Sequence, residues 1–173
     1  MKIFLSFLIL LISLSTSAGA CNVFSKFNFG DVPKQINKEI PFPIFKDNFG
    51  GEKLVIPIQE ICNNSELQGS FVSYLFLEGK LSQIFIERAN FNDVNLMEYA
   101  KKKYGSFSIP TQIDPLNWRG GHFWNQTNAR VQYLQINIHE GKSEILEINS
   151  KQYEQNLINY SKQVGAWLDQ SNK

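Results

Sequence analysis

Histidine is scarce in this chain of 173 residues, which contains two, His122 and His139. Neither has a second histidine, a cysteine or a carboxylate at the spacing that metal ligands require. Motifs for zinc hydrolysis, a serine nucleophile elbow, phosphate binding and dinucleotide binding are also lacking. We therefore expect no metal, no cofactor and no catalytic residue. The alternative is a small secreted hydrolase whose site is assembled from residues that are distant in the chain.

An excess of charge of either sign is lacking as well. The chain carries 17 lysines and arginines against 16 aspartates and glutamates, which makes a formal net charge of +1 at pH 7. A protein that binds nucleic acid needs a basic patch to displace counterions from the phosphates. We therefore expect a partner other than nucleic acid.

The apolar stretch at residues 3–15 is shorter than the roughly 20 residues that a transmembrane helix needs. It follows Lys2 and precedes Ala-Gly-Ala at 18–20, the small-residue pattern of a signal-peptidase site. This predicts a signal peptide at 1–20 and an exported domain at 21–173, which is periplasmic or secreted. Without Lys2 the mature chain has 16 basic and 16 acidic residues.

Cysteine is limited to two residues, Cys21 and Cys62. An even number in an oxidising compartment predicts one disulfide between them. It would close a loop of about 40 residues, worth about 3–4 kcal/mol in the chain-entropy model. The alternative is a lipid-carrying Cys21 that anchors the protein to the outer membrane. Ala18 stands where bacterial lipoproteins usually have leucine, which favours the disulfide.

The order of secondary-structure signals is helix, strands, helix, strands, helix. Residues 70–88 predict a hairpin with a tight turn at Glu78-Gly79, and residues 92–106 predict a helix. Residues 129–149 predict a second strand pair, and Ser150 caps a predicted C-terminal helix. We expect a single α+β domain with an antiparallel sheet of five or six strands, helices packed on one face and a C-terminal helix.

One segment, Asn117–Asn128, is rich in the residue types that dominate protein interfaces. The predicted contact residues of this segment are Trp118, Arg119, His122 and Trp124. The alternative is that Phe123 and Trp124 belong to a strand and face the core, with the Gly-Gly pair forming the turn before it.

Several short motifs of the chain resemble those of a group of exported bacterial domains. These are Phe29-Gly30, the hairpin sequence at 75–84, Lys103-Tyr104-Gly105 and the tryptophan-bearing strand pair at 123–136. The layout resembles small exported α+β domains, among them the BamE-like lipoproteins of the outer-membrane assembly machinery. The resemblance implies binding of protein and lipid and no catalysis, and it transfers no functional residue.

Together these observations predict a non-catalytic, exported protein-binding domain. It is either a scaffold component of the cell envelope or an immunity or inhibitor protein that blocks a secreted toxin or hydrolase. Membrane attachment is expected only if Cys21 is acylated.

Overall fold

A computed structural model describes residues 27–62, 66–139 and 141–171. The predicted signal peptide and Cys21 lie outside these residues, so the disulfide and the lipid anchor both stay predictions. The described helices are α1 (Pro33–Glu39), α2 (Asn95–Tyr104) and α3 (Glu154–Ser171). The described strands are β1 (Ile44–Lys46), β2 (Gly51–Pro57), β3 (Phe71–Leu77), β4 (Lys80–Ala89), β5 (Gly120–Asn125), β6 (Ala129–Ile138) and β7 (Gly141–Ser150).

All seven described strands join one antiparallel sheet in the order β1-β2-β3-β4-β7-β6-β5. This confirms the predicted α+β domain and corrects the strand count from five or six to seven. The strand that the prediction missed is β1, which pairs with β2 through Ile44 opposite Leu54. A strand of three residues is too short to display a readable alternation of apolar and polar residues.

The predicted hairpin is confirmed at β3 and β4. Glu78 and Gly79 both have positive φ, 51° and 69°, which is the backbone of a two-residue type I′ turn. A bulge follows, because Leu75 pairs with Gln83 whereas Phe76 pairs with Leu81. The extra residue places Gln83 on the same side of the sheet as Leu75.

One side of the sheet, which we call the helical face, carries α1 and α2 and contains the main core. Helix α1 contributes Ile36, and α2 contributes Leu96, Met97 and Ala100, all without exposed surface. The largest fully buried sheet residues in this core are Tyr74, Tyr133 and Phe76. Each Å² of apolar surface that is removed from water contributes about 25 cal/mol to stability. This core contains most of the described buried apolar residues, so it is the main source of stability.

Helix α3 lies on the opposite side of the sheet, which we call the open face. Its Leu157 packs against Leu75 and Leu77, with Tyr160 beside them. The Tyr160 hydroxyl donates to Asp47 Oδ2 at 2.6 Å. The prediction of helices on one face therefore holds for α1 and α2 and is wrong for α3. No helix of the described part is long and apolar enough to cross a membrane.

Helix α3 also begins later than predicted. Ser150 ends β7 and is buried, and the helix starts at Glu154 after a short turn. This turn, residues 151–153, connects the interior strand β7 to α3 on the open face.

Candidate functional site

The predicted contact residue Trp118 packs against the core instead of standing free. Its ring stacks on Tyr133 with centroids 6.3 Å apart and planes 3° apart, and it also contacts Phe107. A side chain at position 120 would come within 2.6 Å of the Trp118 ring, so the close packing requires glycine there.

Trp124 and His122 belong to the same aromatic cluster, because alternate residues of β5 point to the same face. Trp124 is 8% exposed, and its indole Nε1 donates to the Gly105 carbonyl at 2.9 Å. The His122 ring stacks on Phe107 at 4.6 Å. Phe123 lies between them, points to the open face and is 67% exposed. The alternative in which Phe123 and Trp124 both face the core therefore holds for Trp124 alone.

Arg119 is half-buried, and its guanidinium is bound within the protein. Nε donates to Asn137 Oδ1 at 2.6 Å, and Nη1 donates to the carbonyls of Leu116 and Trp118. The structure thus gathers all four predicted contact residues at one end of the sheet, where their contacts hold the 106–119 segment over the core.

The hydrolase alternative requires a histidine in a cleft with a serine or a carboxylate. His122 is held between aromatic rings, and His139 lies in the turn after β6. Neither of them lines the grooves of the open face described below. Within the described residues no group of three or more His, Cys, Asp and Glu side chains is placed to hold a metal ion.

The helical face contains one fully buried carboxylate, Glu144 of β7. Oε1 accepts from the Met97 backbone N–H at 3.0 Å and from the Tyr133 hydroxyl at 2.8 Å, and Oε2 accepts from Arg88 Nη1 at 3.0 Å. Burial raises the pKa of Glu144, and these three donors oppose that shift. Both carboxylate oxygens are used to join three strands to the start of α2.

Arg88 connects this buried carboxylate to the surface. It also binds Asp93, with Nη2 to Oδ2 at 3.1 Å. Asp93 Oδ1 accepts from the Asn95 N–H at 3.0 Å, but Asp93 is not the N-cap that the sequence predicts, because Val94 occupies that position. The hydrogen bond and charge of Arg88 hold the pKa of Asp93 below its usual range. We assign this cluster to stability, since every charge in it has a partner.

The open face contains two adjoining grooves. One, of about 540 Å³, lies between α3 and the strands, and the other, of about 510 Å³, lies over β2, β3, β4 and β7. Both are lined by Leu75, Gln83 and Glu147, so together they run across most of the sheet. The first groove has α3 as one wall, and the second is lined by strand residues alone.

A row of directly paired residues crosses the floor of these grooves. It runs through Val55, Ser73, Phe85, Glu147, Gln132 and Phe123, from β2 to β5. Glu147 is half-buried, and burial raises its pKa while a hydrogen bond from Asn149 opposes the shift. Gln83 Nε2 in turn donates to Asn149 Oδ1 at 2.8 Å.

Sequence reasoning did not single out Glu147. Glu147 follows Glu144 by three residues, and an odd separation places two residues on opposite faces of a strand. The sequence therefore predicts that these two carboxylates face opposite sides. Which face is covered depends on where α2 and α3 pack, which a strand pattern does not contain. Gln83 reaches the open face through the bulge in β4, for which the pattern has no signal.

Comparisons with family models, with curated proteins and with solved structures find no match for this chain. The resemblance to BamE-like domains therefore stays a prediction.

Proposed function

We propose that this chain is a non-catalytic protein-binding domain, exported from the cell, that docks its partner on the open face. The observation that carries the proposal is the uncovered row across the sheet, where two grooves meet around Glu147. Exposed aromatic side chains border it, with Phe71 at 52% and Phe123 at 67% exposure. Aromatic residues are enriched at protein interfaces.

The same features favour the scaffold version over the inhibitor version. An inhibitor is expected to present a rigid aromatic or charged loop, and Trp118 to His122 is the segment with that composition. In the structure Trp118, Arg119 and His122 make internal contacts. A scaffold component is expected to expose a long sheet edge or an apolar patch, and the exposed rings of Phe71 and Phe123 on the open face support that version.

Site-specific photo-crosslinking tests the docking surface in the producing cell. A photoreactive phenylalanine analogue replaces Phe123, or Phe71 in a second variant, in the full chain. The control carries the analogue at Ile113, which is 37% exposed in the loop before β5. We expect one protein to be crosslinked at 123 and 71 and not at 113.

The crosslinked protein is then purified and its affinity measured by calorimetry. Phe123→Asp should weaken binding by about tenfold or more, because an aromatic anchor at an interface is worth at least about 1.4 kcal/mol. Ile113→Asp should leave the affinity unchanged. Equal crosslinking at 113, or an affinity that Phe123→Asp leaves unchanged, would contradict the open face as the docking surface.

Anchoring is tested separately by the intact mass of the native protein. A mature chain two hydrogens lighter than its reduced form supports the Cys21–Cys62 disulfide. A mass higher by that of attached acyl chains supports the lipid anchor instead.

A further inference from the structure

We propose that Asn125 carries an N-linked glycan and that this glycan shields the exposed edge of the sheet at β5. The proposal rests on the proposed export, because asparagine-linked glycans are attached in a secretory pathway. It takes the secreted location rather than the periplasmic one. Two independent observations support it: the acceptor sequence at residues 125–127 and the unprotected backbone edge of β5.

The acceptor sequence for N-linked glycans is asparagine, any residue except proline, then serine or threonine. Within the described residues it occurs at 125–127 and at 159–161, and a third copy at 63–65 lies outside them. A chain rich in asparagine contains such triplets by chance. The structural position of each triplet therefore decides between them.

The position of Asn125 fits an acceptor. It is the last residue of β5, it is exposed, and Thr127 in the turn to β6 is exposed as well. Asn159 instead lies inside α3, where its side chain accepts from Gln155 Nε2 at 3.0 Å. An occupied acceptor is expected on a surface turn, which selects Asn125.

The second observation concerns the two edges of the sheet, β1 and β5. Edge strands pair with other molecules unless they are short, charged, interrupted by proline or bulged. Strand β1 has three residues, follows Pro43 and ends at Lys46. Strand β5 has six residues, no proline and no lysine, arginine, aspartate or glutamate, and its register with β6 has no bulge.

The outer edge of β5 is also open and partly apolar. In the described part of the chain, no backbone hydrogen bond joins β5 to a segment other than β6 and the turn to it. Phe123, in the middle of the strand, is 67% exposed. A strand of this kind is expected to pair with a second copy of itself unless something covers it.

A glycan on Asn125 would supply the protection that the side chains of β5 lack. Phe123 and Asn125 point to the same face, and two residues of a strand span about 7 Å. A bulky, hydrated glycan at 125 therefore blocks the approach of another strand to this edge. Asn125 lines neither groove of the open face, so the proposed docking surface stays accessible.

The modification is a group transfer from a lipid-linked oligosaccharide. A bond forms between Asn125 Nδ2 and the anomeric carbon of the first sugar. The bond between that carbon and the pyrophosphate oxygen breaks, and the lipid pyrophosphate leaves with the electron pair. Nδ2 loses one proton, so the product is a neutral, substituted amide.

Peptide mass spectrometry of the native protein, recovered from outside the producing cell, tests the site. Digestion with a peptide N-glycosidase converts each occupied asparagine to aspartate. We expect this conversion at Asn125 and not at Asn128, which lies in the same turn without an acceptor sequence. An unmodified Asn125 in the exported protein would overturn the glycan and leave export intact. A protein found only in the cytosol with residues 1–20 attached would overturn both.

The shielding role is tested by sedimentation. Asn125→Gln and Thr127→Ala each destroy the acceptor by a different change, and Asn128→Gln is the matched control. We expect the first two to lower the dissociation constant for self-association by about tenfold or more, and the control to leave it unchanged. Trimming the folded parent protein with an endoglycosidase, which leaves a single sugar, should have the same effect without requiring a variant to fold. Trimmed protein and variants that associate no more strongly than the parent would refute the shielding.

Discussion

Glu144 and Glu147 occupy the same strand, three residues apart, and have opposite surroundings. Glu144 faces the covered side of the sheet and is fully buried, with Arg88, Tyr133 and the Met97 N–H around it. Glu147 faces the open side, is half-buried and has Asn149 as its described hydrogen-bond partner. Burial raises the pKa of both carboxyl groups.

The contrast distinguishes Glu144, a carboxylate that stabilises the fold, from Glu147, a carboxylate that is partly open to solvent. A buried carboxylate that accepts from three donors can be removed only at the expense of those donors. A half-buried carboxylate without an ion pair among the described residues adds little to stability. The two faces of this sheet should therefore respond differently to mutation.

The largest expected difference is between alanine variants of the two carboxylates. Glu144→Ala leaves Arg88, Tyr133 and a backbone N–H without their buried acceptor and should cost about 3–5 kcal/mol in the free energy of unfolding. Glu147→Ala should change it by no more than about 0.5 kcal/mol. Urea unfolding followed by circular dichroism measures both. Similar losses for the two variants would break the comparison.

The next difference concerns the helices on the two faces. Leu96 of α2 has no exposed surface and belongs to the main core, so Leu96→Ala should cost about 3 kcal/mol. Leu157 of α3 is 8% exposed and belongs to a cluster of three buried residues, so Leu157→Ala should cost about 1–2 kcal/mol. Amide exchange should show that Leu157→Ala loosens α3 and leaves α1 and α2 protected. Loss of amide protection throughout the protein would mean that the packing of α3 on the open face is as important for the stability of the fold as the packing on the helical face.

A single hydroxyl tests how far Glu144 depends on its donors. The Tyr133 hydroxyl lies 2.8 Å from Glu144 Oε1, whereas the equally buried Tyr74 hydroxyl has no described partner. Tyr133→Phe should therefore cost about 1–2 kcal/mol, and Tyr74→Phe should be neutral or slightly stabilising. The comparison is made by thermal unfolding of both variants. Equal costs would show that the hydroxyl of Tyr133 contributes no more than its ring.

The smallest effect, with the opposite sign, is expected for Glu147→Gln. Because burial raises the pKa of Glu147, the ionised carboxylate opposes folding above that pKa, and protonation removes the effect as the pH falls. Glu147→Gln should stabilise the protein by about 0.5 kcal/mol at pH 7 and by less at pH 4. The urea midpoints of the parent protein and of Glu147→Gln at pH 7 and pH 4 measure this difference. A loss of stability in the variant at pH 7 would contradict the prediction.

Much of the fold was predictable because its signals are local. The Glu78-Gly79 turn and the lysine-rich end of α2 each depend on residues a few positions apart, and the structure has both elements. Three features depend on contacts between distant segments: the short strand β1, the side on which α3 packs, and the bulge that turns Gln83 to the open face.

The candidate site was less predictable than the fold. Trp118 and Arg119 have the composition of a contact surface, but Tyr133 and Asn137, on the neighbouring strand, already bind them. Composition shows what a side chain can bind and does not show whether the protein has bound it internally.

The sequence by itself determined the elements and the alternation of each strand, because backbone geometry and turn chemistry act over a few residues. It therefore also determined that Glu144 and Glu147 point to opposite faces. The tertiary structure alone decided which of these faces the helices bury, because that depends on packing between segments far apart in the chain. That choice makes Glu144 part of the core and leaves Glu147 in the groove.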